Sequence, residues 1–528
     1  MPTLTWVGKD KVVNHHHDVP FRVLNKQYTF EADPGTRTNS TDNRIIHGDN
    51  LEALKSLLPE FEGKVKCIYI DPPYNTGNEG WCYNDNVNDP KMQKWLGEVV
   101  GKEGEDLSRH DKWLCMMYPR LKLLHRLLAK DGIFLCSIDE NEYHRLKLVL
   151  DEICGLNAYV GSICWRTRNT DNRVKTRLSV DHEYVLVYSL GAPLVGRLID
   201  RSDFKNPDND PRGPYVTDPL TGKATAEDRP NLHYVIENPL TLDKFLPDPA
   251  RGWITDFKGY RELLLSDRIW WPVNAQNGNP RKKRFLSETS DRMPLSSFWA
   301  DTKGQTGADE LDNMLGKRLF AFPKAVDFIS RLLDVVCSSD ALILDSFSGS
   351  GTTAHAVLKL NAQDGGHRRF ILVERMDYAE TITAERVRRV MNGYGSESKA
   401  VDGLGGGFDY YTIGEPLFTA DDLLNESVGV DAIRGYVAYT EGIRPEDQVS
   451  QDNPVSPYLL GRNADTAWFF YYEPDRPTAL NMEFLGGIQI GDKPGTTIIY
   501  ADRCLLSSDF MTKNGLIFKK IPRDISRF

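Results

Sequence analysis

Between residues 44 and 154, short apolar runs alternate with stretches of helical periodicity. RIIHGDN (44–50) is an apolar run closed by a turn, and LEALKSLLPEF (51–61) repeats leucine at helical spacing. KVKCIYIDPPYNTG (64–77) is rich in β-branched and aromatic residues and runs into a Pro-Gly loop, the pattern of a buried strand and its exit. KWLCMMYPRLKLLHRLLAKDG (112–132) predicts a long helix capped by Gly132, followed by a strand in GIFLCSIDENE (132–142) and a helix in EYHRLKLVLDEI (142–153). From Gly155 the alternation stops, and prolines 207, 211, 214, 219 and 230 among Asp, Asn and Gly mark a loop-rich insertion. It resumes with an amphipathic helix in KAVDFISRLLDVV (324–336) and two strand–loop–helix units at 341–360 and 368–390. Strands alternating with helices predict a mostly parallel sheet covered by helices. The expected segments are an N-terminal arm (1–40), a first α/β half (41–154), an insertion (155–300), a second α/β half (301–402) and, after GLGGGF (403–408), a C-terminal domain (403–528).

Composition narrows the class. The 528 residues are 40% hydrophobic and 27% charged, which excludes a disordered, collagenous or coiled-coil chain. No apolar run approaches the ~18 residues of a membrane span, and the N-terminus lacks an apolar signal core, so a cytoplasmic location is expected. Eight scattered cysteines without a C-x-x-C pair point to reduced thiols rather than a disulfide framework or zinc ribbon. Cys115 and Cys136 read as core packing. The net charge of −10 at first argues against a polyanionic partner, but the charge is uneven. Residues 155–292 hold 21 basic and 18 acidic side chains (+3), whereas 409–528 hold 11 and 18 (−7). Basic bursts at Trp165–Arg177 and Arg281–Arg284 have the Arg- and Asn-rich character of phosphate and base-edge contacts, or of a solvated loop.

Two motifs carry chemistry. Asp71-Pro72-Pro73-Tyr74 ends an apolar strand, where ligands bind in open parallel sheets. An exocyclic amino nitrogen is a poor nucleophile because its lone pair is delocalised into the ring. A carboxylate (Asp71) and a backbone carbonyl (Pro72) can hold its two N–H bonds out of the ring plane. Successive prolines stiffen those acceptors, and Tyr74 offers a face for a flipped base. The second motif, Asp345-Ser346-Phe347-Ser348-Gly349-Ser350-Gly351-Thr352-Thr353, follows a strand and opens a helix, so a ligand can approach its backbone. Glu374 ends the next strand, where an acid can accept from ribose hydroxyls. Neither G-x-G-x-x-G nor a P-loop occurs. Asp139 closes a strand of the same sheet, as a pocket residue or a turn cap. His15-His16-His17 lacks a partnering ligand cluster, so no metal is expected. Trp270-Trp271 suits base stacking or a satellite core.

Together, D-P-P-Y and F-x-G-x-G resemble the amino-group methyltransferases that use S-adenosylmethionine, and D-P-P-Y points within them to the N6 amino group of adenine in DNA. The order, catalytic tetrapeptide, insertion, then cofactor loop, is the permuted order of the family's beta class. IHGDNLEALKSLLPEFEGKVKCIYIDPPYNTG (46–77), DHEYVLVYS (181–189) and IFKKIPRDI (517–525) are similar to Mod subunits of type III restriction–modification systems, with the resemblance clearest over about 40–155 and 295–400.

The resemblance implies a Rossmann-like, circularly permuted S-adenosylmethionine-dependent methyltransferase fold with an inserted target-recognition domain. It gives Asp71, Pro72, Pro73 and Tyr74 the catalytic role, and Asp49, Lys324, Asp345, Phe347, Gly349, Gly351, Thr352 and Glu374 the cofactor. Asn75, Arg166, Arg168, Arg173, Lys175, Arg177, Arg281, Lys282, Lys283 and Arg284 would meet DNA. The implied partners are double-stranded DNA, a second copy of the chain, and a restriction subunit with helicase and nuclease functions. Cytosine-N4 methylation, an orphan adenine methyltransferase and a chiefly DNA-recognising subunit remain open readings.

Overall fold

The computed structural model describes residues 3–76, 107–171, 173–175, 178–191, 193–274, 276, 278–301, 305–316, 319–397, 400–450, 452, 456–488 and 494–523. Its centre is a ten-stranded sheet made of β1 (Arg22–Glu31), β2 (Asn43–His47), β3 (Val65–Ile70), β4 (Leu128–Ile138), β5 (Tyr159–Arg166), β6 (His182–Ser189), β7 (Phe298–Trp299), β8 (Leu342–Asp345), β9 (Arg369–Glu374) and β10 (Gly407–Pro416). The order across the sheet is β1-β10-β2-β9-β8-β3-β4-β6-β5-β7. Pairing is parallel from β10 through β4 and between β5 and β7, while β1, and β6 on both of its sides, run antiparallel. The expected mostly parallel α/β architecture is therefore present.

The middle strands are buried on both faces, which is why β3 (VKCIYI) and β8 (LILD) read as nearly continuous apolar runs. Helices α1 (Asn50–Phe61), α2 (Leu107–Leu127), α3 (Tyr143–Cys154), α4 (Val326–Val336), α5 (Thr352–Asp364) and α6 (Glu385–Asn392) follow or precede them in the chain. Leu54, Leu57 and Leu58 of α1 join Leu121, Leu123, Leu124 and Leu127 of α2 in one core with Ile68, Ile70, Phe134 and Leu344. Register sets the working edge. Leu344 pairs with Ile68, Asp345 with Leu372 and Glu374 with His47, so Asp71, Asp345 and Glu374 leave the sheet at one end.

Several boundaries differ from expectation. The 112–132 periodicity is not one helix: α2 stops at Leu127, and Leu128–Gly132 already belongs to β4, where Leu128 pairs with Val65. There Gly132 acts as the small residue beside Leu128, since an added Cβ would lie 2.6 Å from its side chain, and not as a helix cap. The N-terminal arm contributes β1, and the Gly hinge is followed directly by β10. Their antiparallel ladder spans Arg22↔Pro416 to Glu31↔Gly407. The chain after Gly155 supplies β5 and β6 to the central sheet, so the separate compact unit is Gly196–Leu295 rather than 155–300. That unit contains a three-stranded sheet (Ile269–Trp270, Arg281–Phe285, Tyr215–Pro219) over a small core of Leu220, Ile236, Phe245, Trp253, Tyr260 and Ile269. Trp271 packs on this core, 5.7 Å from the Phe245 ring, so this tryptophan of the pair serves the satellite core.

The C-terminal region carries a four-stranded sheet (Leu459–Arg462, Thr466–Phe470, Thr496–Ala501, Leu516–Lys520) and the helix Val430–Thr440. Arg523, 4% exposed, ties its end together by donating to both oxygens of Asp502 (2.7 and 2.6 Å) and to Glu426 (2.6 Å). His15–Asp18 forms one helical turn in which His16 is buried, and burial, reinforced by His17, pushes its imidazole down to about 4. Cys115 and Cys136 are buried in the core. No helix among the described residues is long and apolar enough to cross a membrane.

Candidate functional site

The carboxyl ends of β3, β8 and β9 enclose a cavity of about 340 Å³, within the usual size of small-molecule sites. Asp71, Pro73, Asn75, Lys324, Asp345, Phe347, Gly349, Thr352 and Glu374, named from sequence, all line it. Trp113, Phe320, Phe322 and Tyr378 complete its wall. The cavity therefore brings together two motifs that lie far apart in the chain.

At the first motif, the Trp113 indole donates to the Pro73 carbonyl at 2.7 Å and fixes the proline loop against α2. Asn75 continues the loop in a left-handed conformation (φ 59°), a region Asn tolerates, and donates to the buried Glu142 at 2.5 Å. The Tyr74 hydroxyl lies 2.9 Å from both Asp71 Oδ1 and Glu183 Oε2, and it accepts from Lys324 Nζ at 2.7 Å. The same ammonium is 3.1 Å from Asp71 Oδ1 and 3.1 Å from Glu183 Oε2, and 4.9 Å from the Tyr74 ring centre. Burial pushes the Asp71 carboxyl above its ordinary range, and Lys324 opposes that shift. Burial also works against the Lys324 charge, yet Asp71 and Glu183 hold its ammonium above the usual lysine value. Lys324, expected at the cofactor, thus engages the Asp-Pro-Pro-Tyr loop through its side chain and accepts from Thr352 through its carbonyl at 3.2 Å.

At the second motif, Gly349 (φ 50°) and Gly351 (φ 79°) turn the chain through a conformation that favours glycine. Asp345 accepts from the Phe347 N–H (3.1 Å) and the Thr353 hydroxyl (2.5 Å), which stabilises the turn from inside. Glu374 accepts from the Gly349 and Met376 N–H groups at 2.7 and 3.0 Å. Burial raises Asp345 to about 7 and Glu374 to about 6, against the pull of those hydrogen bonds.

A pH effect follows. Because the folded-state value of Asp345 exceeds the ordinary carboxyl value of 3.8, its favourable contribution is complete below that value and is lost as pH rises through about 7. The stability of the wild type relative to Asp345→Asn is therefore expected to fall between pH 4 and pH 8. Urea unfolding at stepped pH checks this, and a flat difference would contradict it.

Asp49 does not line this cavity. It caps α1 by accepting from the Leu51 N–H (2.8 Å), lies 3.3 Å from Arg120, and borders a second depression with His47, Gly48, Arg22 and Arg375. Its neighbour Asn50 donates to the Ser346 carbonyl at 2.9 Å and accepts from Arg120 at 2.5 Å, so the HGDN turn buttresses the Gly-rich loop. Asp139 caps a turn by accepting from the Asn141 backbone (3.0 Å) and side chain (2.7 Å).

The residues expected to meet DNA divide. Arg166, at the end of β5, and Arg168, Arg173 and Lys175, on the segment joining β5 to β6, are exposed, and that segment starts from the same sheet edge as the cavity. Arg177 lies outside the described residues. In the second unit, Lys283 is buried between Asp208 (2.7 Å) and Asp210 (3.1 Å), Arg284 pairs with Asp218 (2.8 Å), and Arg281 donates to Thr217. Lys283 is thereby a structural ion pair rather than an exposed phosphate contact. Among the described residues no His, Cys, Asp or Glu cluster is placed to hold a metal.

Glu183, Trp113, Asn50, Phe320 and Tyr378 were not singled out by the motifs. Glu183 stands at the start of β6, opposite the end of β4 (Ile138↔Tyr184), so an acid opening a strand at the ligand-binding edge was the available signal.

A family model described as DNA methylase matches residues 65–385. The StyLTI Mod subunit of a type III restriction–modification enzyme from Salmonella typhimurium is 30% identical over 416 residues, 73% of this chain and 62% of that protein. The EcoPI Mod subunit from Escherichia phage P1 is 31% identical over 412 residues, 71% of this chain and 63% of that one. The type II methyltransferase M.KpnI from Klebsiella pneumoniae is 33% identical over 354 residues, 64% of this chain and 81% of its own length. The chain thus spans under two thirds of the two Mod subunits.

Proposed function

Because this chain belongs to the DNA methylase family, we propose that it transfers a methyl group from S-adenosylmethionine to the N6 amino group of adenine in duplex DNA, as the modification and recognition subunit of a type III-like restriction–modification system. The observation that carries this reading is the shared cavity, with an amino-group acceptor (Asp71) and a glycine cradle ending at Glu374 on its walls.

The cavity residues fit the cofactor. A Cβ on Gly349 would lie 3.1 Å from the Phe320 ring and one on Gly351 would lie 3.2 Å from the Thr383 carbonyl, so the cradle depends on bare backbone. Asp71, Asp345 and Glu374 outnumber Lys324 on its walls, which suits a cation. When bound, the cofactor supplies a methyl group on an electron-poor sulfonium. Glu374 would accept from its ribose hydroxyls, and Phe347 with the glycines would wall its body. Asp71 and the Pro72 carbonyl would draw the two N–H bonds of the target amino group aside, directing its lone pair at the methyl carbon. Tyr74 would stack on the flipped base. Most of the rate gain would come from positioning and fixed charge.

Incubation of the chain with unmethylated genomic DNA and tritiated S-adenosylmethionine, followed by nucleoside analysis, tests this. N6-methyladenine is the expected product. N4-methylcytosine would overturn the adenine assignment, and no label would overturn the enzyme. Association with a second copy and with a helicase- and nuclease-bearing restriction subunit belongs to the same reading. Sedimentation and co-purification check each, and a solitary, fully active chain would favour an orphan methyltransferase.

A further inference from the structure

We propose that Glu183 is a positioning residue of the target site, holding Lys324 and Tyr74 so that they engage Asp71 through one oxygen and leave the other as acceptor for the target amino group. The inference rests on the methyl-transfer reading above. Both contacts to Glu183 converge on Oε2, from Tyr74 Oη at 2.9 Å and from Lys324 Nζ at 3.1 Å. Both partners then meet Asp71 at the same atom, Oδ1, at 2.9 and 3.1 Å. The contacts of the ammonium to Asp71, Glu183 and Tyr74 match its three donors. Among these contacts none falls on Asp71 Oδ2. The Tyr74 hydroxyl accepts from Lys324 and gives its one proton to either Glu183 or Asp71, both within 2.9 Å, so its ring is anchored at the hydroxyl before a base arrives.

Charge gives the arrangement a second consequence. Two carboxylates and one ammonium leave the cluster at −1. Without the Glu183 charge, Lys324 would neutralise Asp71 alone and weaken it as an acceptor. Without Lys324, two partly buried carboxylates would face each other across Tyr74. Removing both charges restores −1 on Asp71. The two positions are therefore coupled through Asp71, although Glu183 itself touches neither the amino group nor the cofactor loop.

Glu183→Gln keeps the shape and the hydrogen-bonding capacity while removing the charge. It is expected to lower kcat about 10- to 100-fold, with the cofactor dissociation constant within two-fold of wild type, the scale of a lost charge-assisted contact. Lys324→Met is expected to lower kcat as well, and Lys324→Met/Glu183→Gln to be more active than the product of the two single effects predicts. An active wild type with Glu183→Gln within two-fold of it would overturn the inference alone, as would a double variant equal to that product. A loss of cofactor affinity as large as the loss of kcat would assign Glu183 a merely structural role and overturn it too. A wild type that transfers no methyl group would overturn the functional reading, and this inference with it.

Discussion

Asp71→Ala is expected to lower methyl transfer by about three orders of magnitude, with cofactor affinity within two-fold of wild type, the upper range for losing one preorganised polar group at a reacting centre. The reasoning is geometric. Asp71 leaves β3 at the ligand-binding edge, one strand away from the Gly-rich loop, and its described contacts are Tyr74 and Lys324 rather than any residue of 345–353. The cradle is held from within by Asp345, Thr353 and Glu374, which the substitution leaves intact. Folding is also expected to survive, because burial already works against the Asp71 charge. Asp71→Asn separates charge from shape: the amide still accepts through one oxygen, but its NH2 opposes an incoming amino donor. A rate between those of Ala and wild type would assign Asp71 a steric share. The measurement is single-turnover transfer from labelled cofactor together with equilibrium cofactor binding. An Asp71→Ala variant with full activity would remove the carboxylate from the mechanism.

The two motifs were readable in the sequence because their requirements are local. Asp71 and the prolines after it need only a strand end, and Gly349 and Gly351 need only a turn with positive φ between a strand and a helix. What was not readable depends on residues far apart in the chain. Tyr74 and Glu183 are separated by 109 positions, Lys324 and Tyr74 by 250. The ladder of β1 with β10 joins positions nearly 400 apart, and the half-exposed edge strand β1 lacks the continuous apolar run that marks β3. The RKKR burst misleads for a related reason. Its charge is visible in one glance, but Asp208, Asp210 and Asp218, which take up Lys283 and Arg284, lie 66 to 75 residues upstream. Among the described residues, the arginines between β5 and β6 stay exposed even though Asp171 pairs with Arg173 and Asp181 faces Arg166 and Arg168. They are accordingly the stronger DNA candidates under the proposed function.

Gly351→Val is expected to lower cofactor affinity at least ten-fold and to destabilise the fold by about 2 kcal/mol, within the ~1–3 kcal/mol range for a non-glycine residue held in a disfavoured backbone region. Two constraints meet at this residue. Its φ of 79° lies where a β-branched side chain is a genuine outlier, and a Cβ there would stand 3.2 Å from the Thr383 carbonyl and 3.3 Å from the Thr383 methyl. Thr383 cannot retreat freely, since it is fully buried and its hydroxyl donates to the Gly349 carbonyl at 2.6 Å. Relief would have to come from the loop itself, moving Gly349 away from Glu374 and opening the wall on which the cofactor would rest. Gly351→Asn isolates the two contributions, because Asn tolerates the left-handed region while still adding a Cβ. If backbone strain dominates, Asn is expected to recover most of the stability; if the approach of Thr383 dominates, Asn and Val should be nearly equal. Cofactor titration and urea unfolding of both variants distinguish these outcomes. Wild-type affinity in Gly351→Val would show that the glycine cradle is not the cofactor wall.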